Sequence, residues 1–216
     1  MSVEVLACQT VKDEMERLVG AGIKREYLPY GLHRTPEMLR DELKERLRSI
    51  DAATVILGYG LCSNGVVGLC PKRGQRLVIP RVHDCISLLM GSRQAYYAEF
   101  GKCPGTVYLS KGWIDCKGDP LSEYQGYCEK HGEDTAKWVI EEEYKNYTRL
   151  CLIDTGVGDL EEYRKYSRDV AAFLNLPLEE IKGLDTYFKR LLDDSLWDHD
   201  FLVIEHPGEV RQAMFL

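Results

Sequence analysis

Short apolar runs recur along the chain, and most are followed by a stretch in which apolar positions return every three or four residues. That alternation predicts strands and helices in turn. Val3 to Cys8 reads as a first strand, and Val11 to Val19, with Met15, Leu18 and Val19 at helical spacing, as a first helix. Glu26 to Pro29 is a short strand. Thr35-Pro36 then opens a helix through Met38, Leu39, Leu43 and Leu47, with a hydroxyl placed to cap it and proline at its first position. Further strands are predicted at Ala53 to Leu57, Leu77 to Pro80, Thr106 to Leu109, Arg149 to Ile153, near Ile181 and at Phe201 to Glu205. Helices are predicted from Ile86 towards Phe100, over Glu133 to Tyr147, Leu160 to Leu174 and Tyr187 to Leu192, and residues 110–132 read as a long loop.

The C-terminal third repeats the β-α-β-α-β order of the first sixty residues. The expected class is therefore α/β: two Rossmann-like β-α-β lobes with parallel sheets related by a pseudo-twofold, packed as one compact unit over 1–216. The lobes run over about 1–115 and 133–216. Parallel sheets bind ligands beyond the carboxyl ends of their strands, so the site is expected in a cleft there. Residues just past strands become the candidates.

Four such residues carry metal-binding chemistry. Cys8 ends the first strand, Cys62 lies in the glycine-rich turn Gly58-Tyr59-Gly60-Leu61-Cys62-Ser63-Asn64-Gly65, and His83 with Cys85 follows the strand ending at Pro80. Thiolates and imidazole select zinc or iron over magnesium or calcium, and a helix N-terminus favours an ionised Cys85. Each also has an ordinary reading: a cysteine ending a buried strand is a small apolar filler, and a histidine can be satisfied by a carbonyl. Asp84 is either a helix cap or a carboxylate that orients His83, which serves as fourth ligand or as a base. The His-x-Cys spacing is similar to that used by zinc-dependent thiol methyltransferases. The additional cysteines precede the pair here and the chain is too short for their eightfold barrel, so the similarity concerns site chemistry alone.

Arg81 and Arg93 flank that turn and suit a substrate carboxylate or phosphate, or else ion pairs. Gly60 lets the backbone approach a ligand, and Asp154, in Asp154-Thr155-Gly156, ends a strand of the second lobe, where it contacts substrate or caps its own turn. Tyr59, Tyr108 and Trp113 are candidates for an apolar wall or for core. Cys103, Cys116, Cys128 and His131 match no close zinc-finger spacing and read as thiols rather than as a second metal site.

Composition narrows the partners. With 28 basic and 35 acidic side chains the net charge is -7, and no basic block is interleaved with aromatics, which argues against nucleic acid. The opening MSVEVLACQTVKDE lacks a basic, apolar leader pattern, and no apolar run is long enough for a membrane span, so a cytoplasmic location is expected. Eight cysteines in a reducing compartment are fillers or ligands rather than a disulfide framework.

The strings LACQTVKDE, GYGLCSNGVVGL, VIPRVHDCISLLMGSR and YLSKGW resemble the family catalogued as domain of unknown function 1638. The resemblance covers most of the first 115 residues and continues more weakly beyond. Its recurring cysteine in the first strand, its Gly-x-Cys-like turn and its Arg-x-His-Asp-Cys string correspond here to Cys8, Cys62 and Arg81 through Cys85. The loop cysteines lie outside that pattern. The resemblance implies a two-lobed α/β protein of methanogens and anaerobes, associated with corrinoid-dependent methyl transfer. The expected function is a metal-dependent enzyme acting on a small thiol or methylated substrate in anaerobic one-carbon metabolism, with zinc as cofactor. The alternatives are a [4Fe-4S] lyase-like protein and a non-catalytic metal or corrinoid accessory of a methyltransferase, and a homo-oligomer is possible in either case.

Overall fold

The computed structural model describes residues 2–216. In chain order the elements are β1 (Val3–Cys8), α1 (Lys12–Leu18), β2 (Lys24–Leu28), α2 (Pro36–Ser49), β3 (Thr54–Gly58), β4 (Arg76–Pro80), α3 (Ile86–Leu89), α4 (Arg93–Lys102) and β5 (Thr106–Leu109). They continue with α5 (Lys111–Asp115), α6 (Pro120–His131), α7 (Glu133–Tyr144), β6 (Arg149–Asp154), α8 (Leu160–Leu174), β7 (Leu178–Lys182), α9 (Thr186–Leu192) and β8 (Phe201–Glu205). The protein is mixed α/β with mostly parallel sheets. None of its helices, among the described residues, is long and apolar enough to cross a membrane.

The chain divides into two units, Met1–Arg93 with Leu184–Leu216, and Gln94–Gly183. The first is built on a sheet of order β2-β1-β3-β4-β8. Every residue of β3 is buried, as expected of a central parallel strand written as one apolar run. The chain goes outward from β1 to β2, then returns past β1 to β3 and β4. Strand order therefore reverses between β1 and β3, and open α/β sheets form their ligand crevice outside the carboxyl ends at such a point.

The last strand departs from the sequence reading, which placed residues 184–216 in the second lobe. β8 instead pairs antiparallel with β4, Leu77 opposite Ile204 and Pro80 opposite Phe201. The physical reason is burial: Tyr187, Phe188 and Leu191 of α9 are fully covered, and Tyr187 meets Phe201 edge-on at 5.3 Å while its hydroxyl donates to the Asp200 carbonyl. Apolar periodicity marks a strand without saying which sheet it joins.

The second unit is a parallel sheet, β5-β6-β7, with a core of Val107, Leu109, Leu150, Leu152, Val170 and Ala171. Arg149 is buried at its base and pairs with Glu99 at 2.6 Å and with Glu179. The stretch 110–132 is helical rather than a loop. Ser110 caps α5, and Asp119 caps α6, accepting from the Leu121 and Ser122 amides, with Pro120 at the first position and Gly132 at φ 82° ending the helix. The glycines and proline that suggest a loop are helix punctuation. At α2 the start is where the sequence places it, but the Thr35 side chain makes no capping bond.

Candidate metal centre

Cys8, Cys62 and Cys85 come together at the carboxyl edge of the first sheet. Cys8 is the last residue of β1, opposite Leu28 of β2, and is 1 % exposed. The Thr10 hydroxyl lies 3.1 Å from the Cys8 sulfur and 4.0 Å from that of Cys85, and the Thr10 amide also donates to Cys8. Cys62 and Cys85 are likewise buried, and among the described residues no cysteine is in a disulfide.

The turns after β3 and β4 are joined through their backbones, Leu61 donating to the Val82 carbonyl and Cys62 to that of His83. Gly60 makes this possible. A Cβ there would stand 2.7 Å from the Val82 oxygen and 2.9 Å from the Asp84 nitrogen, so the close approach it allows is to the neighbouring turn. Gly58 serves the adjacent strand pair in the same way, with Ala7 Cβ 2.5 Å from where its own Cβ would be. Cys62, Ser63 and Asn64 follow with φ of 45°, 54° and 74°. Three successive non-glycine residues in the left-handed region carry strain of the kind that concentrates at functional sites.

The histidine beside the thiols is His33, which sequence reasoning missed. It lies in the 3-10 turn Tyr30–Arg34 just beyond β2, with Nδ1 3.8 Å from the Cys8 sulfur and its ring stacked on Tyr59 at 5.7 Å. Applying the strand-end rule to β2, as to the other three strands, finds it. His83 contributes its carbonyl to the turn while its side chain is exposed. Asp84 accepts from the Ile86 amide at 2.9 Å and thereby caps the entry to α3.

The electrostatics follow from burial. Desolvation raises the Cys8 thiol above its usual range, against the bonds from Thr10. Burial, then the nearby Cys8 and Asp84, raise Cys62 further. Burial lowers His33, leaving a neutral imidazole at pH 7. Tyr59 is pushed well up by burial and by Cys8, Cys62 and Cys85. Burial also raises Asp84.

The other candidates make local contacts of their own. An Arg81 guanidinium nitrogen donates to the Leu216 carbonyl, and its Nε is buried without a partner among the described residues. Arg93 begins α4 and acts on Tyr187 electrostatically. Asp154 belongs to the second unit, where it accepts from the Gly156 amide and pairs with Lys182 at 2.9 Å. Tyr108 and Trp113 are in that unit too, as is Cys103, whose sulfur meets the Thr148 hydroxyl at 3.2 Å. Cavities of about 560 and 590 Å³ open beside Val3 and Ile23, at the amino-terminal edge of the first sheet and away from the cysteines.

A family model described as a protein of unknown function (DUF1638) matches residues 27–192. The chain belongs to the DUF1638 family. The match takes in His33, Cys62, His83 and Cys85, and it begins within β2, so Cys8 lies outside it. No curated protein and no solved structure matches this DUF1638 chain.

The donors suit a thiophilic ion in kind. Across a tetrahedral zinc a sulfur and a nitrogen ligand stand about 3.6 Å apart, close to the separation of Cys8 and His33. Among the described residues, no three His, Cys, Asp or Glu side chains already stand as a metal-holding group.

Proposed function

We propose that the first unit binds a transition metal ion through Cys8, Cys62 and Cys85, with His33 as nitrogen donor, and uses it on a small thiol or methylated substrate. The observation that carries this reading is the gathering of three buried thiols at the strand-order reversal, with a neutral imidazole among them. A cysteine working alone as a nucleophile needs a depressed pKa, supplied by a cation or a helix N-terminus. Cys8 and Cys62 have the reverse, so as bare thiols they are inert at neutral pH. A bound cation removes that obstacle by displacing their protons.

Zinc is the first choice, because thiolates and imidazole are its usual donors, and action on a substrate requires that one of the four positions be open to it. When bound it supplies Lewis acidity toward a thiolate or a leaving group. His83, whose side chain is exposed, is read as the group that moves protons, and Asp84 as the cap that holds its turn. Arg81, with its unpartnered Nε, is the candidate for orienting an anionic substrate. The second reading is a [4Fe-4S] cluster on the same three cysteines, since cluster ligands can come from separate strand ends. A link to corrinoid-dependent methyl transfer rests on the family resemblance.

Anaerobically purified protein decides between these. A colourless protein that consumes a methylated thiol, and stops when a chelator is added, supports the zinc reading. A brown protein with a broad absorption near 400 nm assigns the cluster. Turnover unaffected by chelator, in a colourless protein, overturns both.

A further inference from the structure

Tyr59 is 1 % exposed, and its hydroxyl has no hydrogen-bond partner among the described residues. A buried hydroxyl in that state costs stability, and folds keep such groups where a ligand or an ordered water meets them. Its surroundings favour a ligand. His33 stacks on the ring at 5.7 Å with an interplanar angle of 23°, and Gly58 and Gly60 fix the backbone on either side against neighbours that leave no room for a methyl. The phenol oxygen lies within electrostatic reach of the sulfurs of Cys8, Cys62 and Cys85 yet bonds none of them.

We propose that Tyr59 is the hydrogen-bond donor that receives a small anionic ligand, one presenting a compact thiolate or oxyanion acceptor, beside the three thiols. The inference rests on the metal reading, since the thiols and His33 bring no positive charge of their own to draw an anion in. Tyr59 is then a positioning residue: it holds the ligand's acceptor atom and leaves the metal to the sulfurs and His33.

The test loads wild type and Tyr59→Phe with Co²⁺, whose visible spectrum reports both thiolate ligation and added ligands, and titrates each with azide as a compact anion. Both are expected to bind Co²⁺ with the same spectrum, and Tyr59→Phe to bind azide about tenfold or more weakly, as loss of a hydrogen bond to a charged acceptor implies. Metal-free Tyr59→Phe is expected to melt about 2–4 °C above metal-free wild type, because an unpartnered hydroxyl has left the core. Replacing Tyr59 by 3,5-difluorotyrosine, a stronger donor of nearly the same shape, tightens azide binding and keeps the test decisive if the phenylalanine variant misfolds. Equal azide affinity in wild type and variant, or no azide response in wild type, overturns the proposal while leaving the metal site standing, and assigns the hydroxyl to a buried water. Loss of Co²⁺ from Tyr59→Phe alone overturns it by making the phenol a ligand. Failure of wild type to bind Co²⁺ removes the metal reading and this inference together.

Discussion

Cys8 Sγ and His33 Nδ1 stand 3.8 Å apart, although 25 positions separate them in the sequence. Parallel pairing of β1 with β2 sets Cys8 opposite Leu28, and the 3-10 turn that follows carries His33 back to the strand end. The pair gives the site a sulfur and a nitrogen donor at a separation a tetrahedral ion spans.

His33→Gln is therefore expected to weaken zinc binding by about 10- to 100-fold or more, a range typical even of residues that only support a ligand. His83→Gln, at an exposed side chain, is expected to leave the affinity within a factor of about two. Competition against a colorimetric chelator measures both. A large loss in His83→Gln with little in His33→Gln would return the nitrogen-donor role to His83.

Metal affinity is expected to rise steeply with pH. The raised thiols of Cys8 and Cys62 hold their protons in the metal-free protein at pH 7, and binding must expel them. These two protons alone give roughly a hundredfold gain in apparent affinity per pH unit below the thiol pKa values, and any proton displaced from Cys85 adds to it. Burial lowers His33, so its proton competes less for the site than a free imidazole's would. Calorimetry in buffers of different protonation enthalpy counts the protons released. A count near zero contradicts thiolate ligation.

Gly60→Ala is expected to separate the two turns. Its methyl would meet the backbone of Val82 and Asp84 inside 3 Å, and backbone cannot swing aside as a side chain does. Overpacking of this kind costs about 1–3 kcal/mol. Urea unfolding followed by circular dichroism reads the loss, and metal affinity is expected to fall with it. An unchanged midpoint would mean that the turns have slack.

In the second unit, Glu99→Gln is expected to cost about 1.5–3 kcal/mol, the worth of a hydrogen bond to a charged group, because the buried Arg149 guanidinium keeps Glu179 and the Thr106 hydroxyl as partners. Bonds from Lys102 and then Arg149 hold the Glu99 carboxyl below its unfolded value of 4.5. Its stabilising contribution is thus present above pH 4.5 and lost as pH falls through the lower folded value. Wild type is expected to lose stability across that acid range, and Glu99→Gln to show a flatter profile there in thermal melts at stepped pH. Parallel profiles would assign the acid sensitivity to other carboxylates.

Local structure was largely legible in the residues. Val3–Cys8, Thr106–Leu109, Leu160–Leu174 and Phe201–Glu205 have the same bounds in sequence and structure, because their apolar periodicity is unbroken and their ends carry turn or cap residues. What the sequence hides is long-range choice. Nothing local to Phe201–Glu205 says that its partner is β4, 121 positions away at the Pro80–Phe201 pair. The helix Pro120–His131 was hidden by its own caps, Asp119-Pro120 and Gly132, which also spell a loop. At the site, the thiols could be found from strand ends alone. His33 follows from the same rule applied to β2, but that strand is half-exposed and weakly marked, so the turn beyond it is the least conspicuous of the four.

The central claim is tested most directly by counting metal in anaerobically purified protein by elemental analysis, for wild type, Cys62→Ala and Cys85→Ala. The expected result is about one zinc or iron-containing centre per chain in wild type, lost from both variants while each keeps its circular dichroism spectrum. Metal-free wild type, or variants that retain the full complement, would contradict the claim and leave Cys8, Cys62 and Cys85 as packing residues at the edge of the sheet.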